Sequence, residues 1–200
     1  MEVSSSAPAP ALARQPTLET PRLLLRPLVP ADAAAVQTLA GDREVAYSTL
    51  NIPHPYPDGA AEAWIGTLPV AYDCGEAVVF GLALREDGAL VGTCGLKLEL
   101  SHARAEIGYW VGRHYWGRGL ATEAARAVIE YAFTRLGIRR VYAHYYSRNP
   151  ASGAVMRKLG MTHEGKLRSH VLKWGVFEDI ELYGVLKEEW GSHRDTEAQR

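Results

Sequence analysis

The sequence predicts an α+β fold built on a mixed, mostly antiparallel sheet. Two apolar runs, 77–85 and 89–100, are joined across Glu86–Gly88, a spacing that is typical of a β-hairpin. Strand, helix, strand and helix patterns then follow one another over residues 104–159, which predicts a crossover connection and one parallel strand pair. The C-terminal segment alternates like a second hairpin that turns near Lys173 to Gly175.

The chain before the first hairpin contains a tail, a strand and a helix. Residues 1–16 are rich in Ser, Ala and Pro and show no periodicity, so they predict a flexible tail that buries too little apolar area to offset its ordering entropy. Arg22–Leu28 predicts the first strand. The segment 31–41 predicts a helix that ends at Gly41.

A proline-rich stretch separates this helix from the next one. Residues 51–59 carry three prolines within five positions, which excludes a helix or a central strand and predicts a stiff loop. We expect Asp58 to cap the helix that follows, which continues through Trp64 and Ile65.

The second half of the chain supplies the crossover. Its predicted elements are a strand at 104–111, a helix from about Leu120 to Leu136 closed by Gly137, a strand at 139–147, and a helix from about Ala151 to Leu159 closed by Gly160. The long helix keeps an apolar face at helical spacing, formed by Leu120, Ala124, Val128 and Tyr131. About four helices therefore flank the sheet in a single domain, residues 17–190, and residues 191–200 form a polar tail.

Composition narrows the class of protein. A chain of 200 residues that is 47% hydrophobic forms one domain with a proper core. The net charge of -1 argues against nucleic acid as a partner. The two cysteines, Cys74 and Cys94, lack the spacing of a zinc site, and no secretory signal or apolar span of ~20 residues is present. We therefore expect a cytoplasmic chain with no metal and no membrane partner.

The glycines of YWGRGLATEA stand where a helix must begin. A helix start leaves several backbone N–H groups without partners, and the macrodipole adds partial positive charge there. Gly117 and Gly119 let the backbone approach a bulky phosphate, and Arg118 between them adds a mobile cation. The pattern indicates an anion site, although a glycine pair alone also occurs in a plain tight turn.

Two other phosphate-binding motifs fit the stretch poorly. A Walker loop needs Gly-Lys-Ser/Thr, whereas Leu120 and Ala121 follow the second glycine here. A dinucleotide fingerprint needs a third glycine or alanine, where this chain has Thr122. It also needs an acidic residue at the end of the next strand, and the strand at 139–147 has no carboxylate.

The segments GYWVGRHYWGRGLATEA (108–124) and RNPASGAVMRKLGM (148–161) together resemble the acetyl-CoA-binding core of the GCN5-related N-acetyltransferase (GNAT) superfamily. They are most similar to its ribosomal-protein-alanine acetyltransferase (RimJ/RimL-like) branch. The resemblance runs from Leu18 to Trp190. It implies a GNAT-type sheet in which the two parallel strands splay apart around acetyl-CoA as the acyl donor.

The resemblance also implies which residues hold the donor. The main chain of the strand binds the pantetheine arm, the amides of the glycine turn bind the pyrophosphate, and an asparagine bonds the pantetheine end. The residues so implied are Trp110, Val111, Gly117, Arg118, Gly119, Leu120, Ala121, Thr122 and Asn149. His114 stands where the superfamily often has Gln or Arg, so Arg113 or Arg118 is expected to substitute for that side chain.

Acetyl transfer to a primary amine, by direct attack on the thioester, needs groups that manage protons. Glu106 is the candidate base, because Ala105 and Ile107 beside it should face the other side of the sheet. His144 on the adjacent strand is the alternative base.

A second group must protonate the departing thiolate. Ser152, one turn into the helix after Asn149, is the candidate, with Tyr145 or Tyr146 as alternatives. The function expected is acetyl transfer to a protein or peptide N-terminal α-amine or to a small amine. The alternative is a non-catalytic acyl-CoA-binding sensor module.

The acceptor pocket is expected between the proline-rich loop, the helix that follows it and the final hairpin. The residues expected to form it are His54, Tyr56, Trp64, Arg168, His170 and Trp174. The sequence does not fix which amine enters. A homodimer stays an open expectation, because no self-complementary motif identifies an interface.

Overall fold

The computed structural model describes residues 14–190, which form an eight-stranded sheet with helices on both faces. The strands are β1 (Leu18–Glu19), β2 (Leu23–Pro27), β3 (Ala77–Leu84), β4 (Leu90–Glu99), β5 (Arg104–Val111), β6 (Arg140–Tyr146), β7 (Thr162–Lys173) and β8 (Val176–Leu186). The α-helices are α1 (Ala33–Ala40), α2 (Arg43–Ser48), α3 (Ala60–Asp73), α4 (Leu120–Arg135) and α5 (Pro150–Lys158). Short 3₁₀ turns cover Pro30–Asp32, Leu100–His102 and Arg113–Tyr115.

The strand order is β1-β2-β3-β4-β5-β6-β8-β7, and every neighbouring pair except β5–β6 is antiparallel. The predicted α+β fold with one parallel pair is therefore confirmed. Both predicted hairpins are present, as β3–β4 and β7–β8. The residues described contain five α-helices instead of about four, because Asp42 caps the short helix α2 by accepting a hydrogen bond from the Glu44 N–H.

The proline-rich loop is present, but the predicted cap on the next helix is wrong. Residues 51–59 form neither helix nor strand, as expected. The N-cap of α3 is Gly59, in a left-handed conformation and without a side-chain cap. Asp58 lies one residue too early to cap the first turn. Its Oδ1 instead accepts a hydrogen bond from Gln37 Nε2 at 3.0 Å, which ties the loop to α1.

Two apolar clusters cover the two faces of the sheet. The larger contains the predicted face of α4, whose four residues are all buried, packed on side chains such as Phe80 and Ile107. The smaller joins α1 and α3 to the opposite face, with Val79 and Trp110 packed against it. Phe80 and Val79 belong to different clusters because side chains alternate across a strand.

The parallel pair comes apart after three residue pairs. β5 and β6 pair only at Arg104–Arg140, Ala105–Val141 and Glu106–Tyr142. Beyond that point β5 stays paired with β4 as far as Val111, and β6 stays paired with β8 as far as Tyr146. The two strands therefore diverge while each remains anchored on its other side, which creates the splayed opening that the sequence led us to expect.

The predicted tails lie almost wholly outside the described residues. Residues 1–13 and 191–200 fall there, so their predicted flexibility stays a prediction. Residues 14–16, the last three of the predicted N-terminal tail, are described, and among them Gln15 donates a hydrogen bond from Nε2 to the Val79 carbonyl at 2.9 Å. Between residues 14 and 190, no helix has both the length and the apolar character needed to cross a bilayer.

Candidate active site

The opening between β5 and β6 leads into a cavity of about 860 Å³. Its walls come from both diverging strands, from α5 and the start of α4, and from the segment after α2. The predicted site residues that line it are Glu106, Trp110, Val111, Gly117, Gly119, Leu120, Ala121, Thr122, Asn149 and Ser152. Residues far apart in the chain thus converge on one site, and Arg118 alone of the predicted set does not line it.

The glycine turn presents an uncapped helix start to this cavity. Gly117 and Gly119 have φ values of 75° and 76°, in the left-handed region that favours glycine. Gly119 is the N-cap of α4, and no side chain in the described part of the chain caps that end. By contrast, α5 is capped by Asn149, which accepts a hydrogen bond from the Ser152 N–H. The first-turn amides of α4 therefore remain free to bind an anion.

The cations predicted beside this turn point elsewhere. The Arg118 guanidinium lies over the ring of Tyr115, 5.3 Å from its centroid, and Arg118 is not among the lining residues although Tyr115 is. Arg113 and His114 are also exposed outside the lining. Lys158, in the last turn of α5, does line the cavity and was not singled out from the sequence. A lysine in the last turn of a helix is ordinarily explained by the helix dipole, so the position of Lys158 in the sequence does not indicate a binding role.

The two alternative bases are in contact with each other. The distance from Glu106 Oε1 to His144 Nδ1 is 3.0 Å, and both side chains are half-buried in the cavity wall. The hydrogen bond from His144 lowers the pKa of Glu106, which outweighs the opposing effect of burial. Glu106 pairs with Tyr142 across the sheet, and His144 is two residues further along β6 on the same face. Glu106 is therefore a carboxylate held by an imidazole.

Ser152 lies on the other side of the opening, beside a tyrosine that the sequence analysis missed. The hydroxyls of Ser152 and Tyr109 are 3.1 Å apart, and the Tyr109 hydroxyl also lies 3.3 Å from the Ser152 carbonyl. Burial raises the pKa of Tyr109 above its ordinary value, so its hydroxyl stays protonated. Tyr109 is three positions from Glu106 on β5, and strand alternation places them on opposite faces. That alternation is the sequence pattern from which Tyr109 could have been identified.

The two alternative tyrosines differ in their surroundings. Tyr145 packs so closely on α5 that a Cβ at Gly153 would lie 2.5 Å from its hydroxyl, so only glycine fits there. The buried hydroxyl of Tyr146 has no hydrogen-bond partner among the described residues, and its ring lies 4.3 Å from the Arg148 guanidinium carbon. Burial raises the pKa of both tyrosines, so both remain neutral donors.

Residues 47–53, which we call the strap, line the cavity over 48–53 and are held by residues about 100 or more positions further along the chain. Lys173 is 7% exposed, and its Nζ donates to the carbonyls of Leu50 and Ile52, each at 3.1 Å. Arg148 Nη2 donates to the Tyr47 carbonyl at 2.9 Å. Burial, and then the charge of Arg148, lower the pKa of Lys173. The strap thus depends on contacts that no local sequence pattern shows.

The predicted acceptor pocket is only partly assembled in the structure. Tyr56 and Trp64 line the cavity as expected. The rings of His54 and Trp174 are 5.8 Å apart beside the strap, outside the lining, while Arg168 and His170 are exposed on β7. The irregular register of β7 between Leu167 and Val171 accompanies this outward placement. Among the described lining residues, Glu106 is the only carboxylate, and Lys97 and Lys158 are the lysines.

The splayed parallel pair, with an uncapped helix start on one side and a carboxylate–imidazole pair on the other, defines an acyl-CoA-dependent transferase. Residues 22–162 match the family described as Acetyltransferase (GNAT) domain, and the chain belongs to this family.

Over 175 residues the chain is 33% identical to the uncharacterised N-acetyltransferase YoaA of Bacillus subtilis (strain 168), covering 86% of this chain and 97% of the relative. Over 139 residues it is 29% identical to the ribosomal protein uS5-alanine N-acetyltransferase of Escherichia coli (strain K12), covering 68% of this chain and 71% of the relative. Mycobacterium smegmatis RimJ, solved in complex with CoA-disulfide, superposes with a TM-score of 0.80 at 25% identity, covering 94% of this chain and 96% of that one. The chain is an N-acetyltransferase that uses acetyl-CoA to acetylate an amine, and its relatives include the predicted alanine acetyltransferase branch.

Proposed function

We propose that the acceptor is the α-amine of a protein or peptide N-terminus, and that the hydrogen-bonded pair Glu106 and His144 accepts its proton. The observation that carries the proposal is the 3.0 Å contact between these two side chains in a wall that holds no other described carboxylate. The E. coli relative supports it, since its name assigns it to an alanine of a ribosomal protein. The acceptor of this chain would then be a polypeptide end.

The lowered pKa of Glu106 makes it a weak base, which favours an α-amine over a lysine. An α-ammonium has a pKa of about 7.7–8.0, so moving its proton to an ordinary glutamate at about 4.3 costs about 5 kcal/mol. A lysine ammonium at about 10.4 raises that cost to about 8 kcal/mol. The His144 contact lowers the pKa of Glu106, which makes the proton transfer from either amine more costly. Glu106 therefore suits an amine that is already partly neutral, receiving its proton directly or through water.

The charge of the cavity argues against a polyamine. A polyamine carries several positive charges, and each buried charge needs a partner of opposite sign. The described lining provides one carboxylate, already bonded to His144, together with Lys97 and Lys158. The remaining acceptor-side lining, such as Tyr56, Trp64 and Ile52, is largely apolar. It suits an N-terminal residue with a small uncharged side chain.

The residues of the turn and of α5 fit acetyl-CoA. The uncapped amides of Leu120, Ala121 and Thr122 would bind its diphosphate, with Lys158 as a further cation at the cavity wall. The Val111 carbonyl already accepts a hydrogen bond from Trp116 Nε1 at 2.6 Å, so it offers the pantetheine arm one lone pair. When bound, acetyl-CoA supplies a thioester carbonyl, which main-chain N–H groups of β5 beyond Glu106 would polarise.

Ser152 and Tyr109 provide a proton on the side away from Glu106. The Ser152 hydroxyl is the candidate donor to the thiolate, and the Tyr109 hydroxyl 3.1 Å away can replace the proton that Ser152 gives up. Asn149 caps α5 and also donates from Nδ2 to the Ser48 carbonyl at 3.4 Å, so it links this side to the strap. Glu106 and Ser152 would thus handle the two proton transfers on opposite faces of the sheet.

The test is thiol release from acetyl-CoA with a panel of amines, with products identified by mass spectrometry. We expect turnover with peptides that begin with small residues, and little turnover with Nα-blocked lysine peptides, free amino acids, polyamines or aminoglycosides. Preferred acetylation of a polyamine or a lysine side chain would refute the acceptor assignment. Binding of acetyl-CoA without thiol release from any amine would instead support the sensor module.

A further inference from the structure

We propose that Arg22, directly before β2, is a positioning residue that fixes the anion-binding amides of the glycine turn. The inference rests on the proposed diphosphate site at the start of α4. Arg22 Nη1 donates to the Arg118 carbonyl at 2.7 Å, in the middle of that turn and 96 residues along the chain. A Cβ at Gly119 would lie 3.5 Å from Arg22 Nη2, so the guanidinium lies beside the helix cap.

The bond to the Arg118 carbonyl sets the direction of an amide. In a planar trans peptide the C=O and N–H groups point in opposite directions. The Arg118 carbonyl shares its peptide unit with the Gly119 N–H. Because Arg22 holds that carbonyl on one side, the Gly119 N–H must point to the other side. Gly119 lines the cavity, so this is where an anion would accept the hydrogen bond.

Arg22 is itself held firmly by Glu123, in the first turn of α4. Glu123 Oε2 accepts from Arg22 Nε at 2.6 Å, and Glu123 Oε1 accepts from the Arg22 backbone N–H at 2.8 Å. The Thr20 hydroxyl donates to the same Oε1 at 2.7 Å. Arg22 therefore connects β2, the turn and the helix in one set of charge-assisted hydrogen bonds.

The turn needs such support for two physical reasons. Two left-handed glycines in an exposed loop have many accessible conformations, and ordering them on binding would weaken affinity. A carboxylate in the first turn of α4 would also repel an anion bound at the same helix end. Arg22 offsets the charge of Glu123, whose side chain is 14% exposed, and leaves the positive end of the helix for the ligand.

The test compares Arg22→Ala with Arg85→Ala, which removes an arginine of similar exposure that contacts Glu19 and the Thr20 carbonyl but neither Glu123 nor the turn. Calorimetry measures the affinity for CoA, and ligand-observed NMR measures the affinity for pantetheine, which lacks the diphosphate. We expect Arg22→Ala to weaken CoA binding roughly tenfold, from the loss of one charge-assisted bond. Pantetheine binding should not change, and Arg85→Ala should bind both ligands like the wild type.

The outcomes separate this inference from the proposed diphosphate site. If Arg22→Ala binds CoA normally while Gly119→Ala binds it weakly, the site stands and the role of Arg22 is refuted. If neither variant changes CoA affinity, the diphosphate site itself is wrong. An equal loss for CoA and pantetheine would also refute the positioning role, because it would show general damage. Should Arg22→Ala fail to fold, Arg22→Lys takes its place. Lysine keeps the charge but cannot contact Glu123 and the Arg118 carbonyl at once, so this variant should show a smaller loss of affinity, for CoA alone.

Discussion

Replacing Gly119 by alanine should weaken CoA binding by an amount set by backbone strain. Gly119 has a φ of 76°, and an L-residue in the left-handed region costs about 1–2 kcal/mol. The new Cβ would meet only Arg22 Nη2, at 3.5 Å, which is ordinary contact and adds no clash. If the free turn relaxes to relieve the strain, CoA must restore the strained geometry. The same 1–2 kcal/mol then becomes roughly a 5- to 30-fold weaker affinity.

Gly137 provides a matched control for this substitution. It follows the other end of α4 with a φ of 68°, and a Cβ there would meet nothing within 4 Å. Gly137→Ala should therefore lower the free energy of unfolding by the same ~1–2 kcal/mol, measured by urea denaturation, without changing CoA affinity in calorimetry. Equal CoA affinities for the two variants would refute the idea that the turn at Gly119 binds the diphosphate.

The remaining predictions concern proton transfer and the strap. Glu106→Gln should slow turnover by about 10²-fold or more while CoA affinity is unchanged; wild-type turnover would make Glu106 structural. Because the His144 hydrogen bond lowers the pKa of Glu106, its carboxylate stays ionised, and its bond to His144 keeps its contribution to stability, until the pH falls below the ordinary range of a glutamate. Wild type should therefore lose activity through this group only in that acidic range, and the glutamine variant should lack this limb of the pH–rate profile. Ser152→Ala should slow transfer by about 10²-fold, and by more than Tyr109→Phe does, with CoA affinity retained; the reverse order would make Tyr109 the direct donor. Lys173→Met leaves two strap carbonyls without the Nζ donor, so it should lower the free energy of unfolding by about 1–3 kcal/mol. It should also raise the KM for a peptide acceptor. A change in CoA affinity instead would show that the strap does not serve the acceptor.

The sequence predicts those parts of the fold and site that rest on local patterns. Hairpin spacing, the crossover pattern and the glycine turn before α4 each involve neighbouring residues, and each is confirmed in the structure. Strand alternation also placed Glu106 in the cavity wall. The predicted Asp58 cap is wrong because a one-residue shift in the start of a helix moves the cap to Gly59.

The contacts that the sequence analysis missed join distant segments. The sequence offers Glu106 and His144 as alternative bases, yet the register of β5 and β6 makes them partners. The sequence predicts Arg22 only as the start of a strand, since its two partners lie about 100 residues away. Such pairs depend on how the strands align in three dimensions, which hydrophobic periodicity does not specify.

The fastening of the strap by Lys173 sets the order in which the enzyme can become complete during synthesis. Leu50 and Ile52 precede their ammonium donor by 123 and 121 residues. A nascent chain that has emerged only as far as α5 already contains the turn at Gly119, but its acceptor wall has no fastening from the last hairpin. β8 must also fit between β6 and β7 before Lys173 is in place. The acceptor wall therefore becomes fixed only after the β7–β8 hairpin has been synthesised and has joined the sheet.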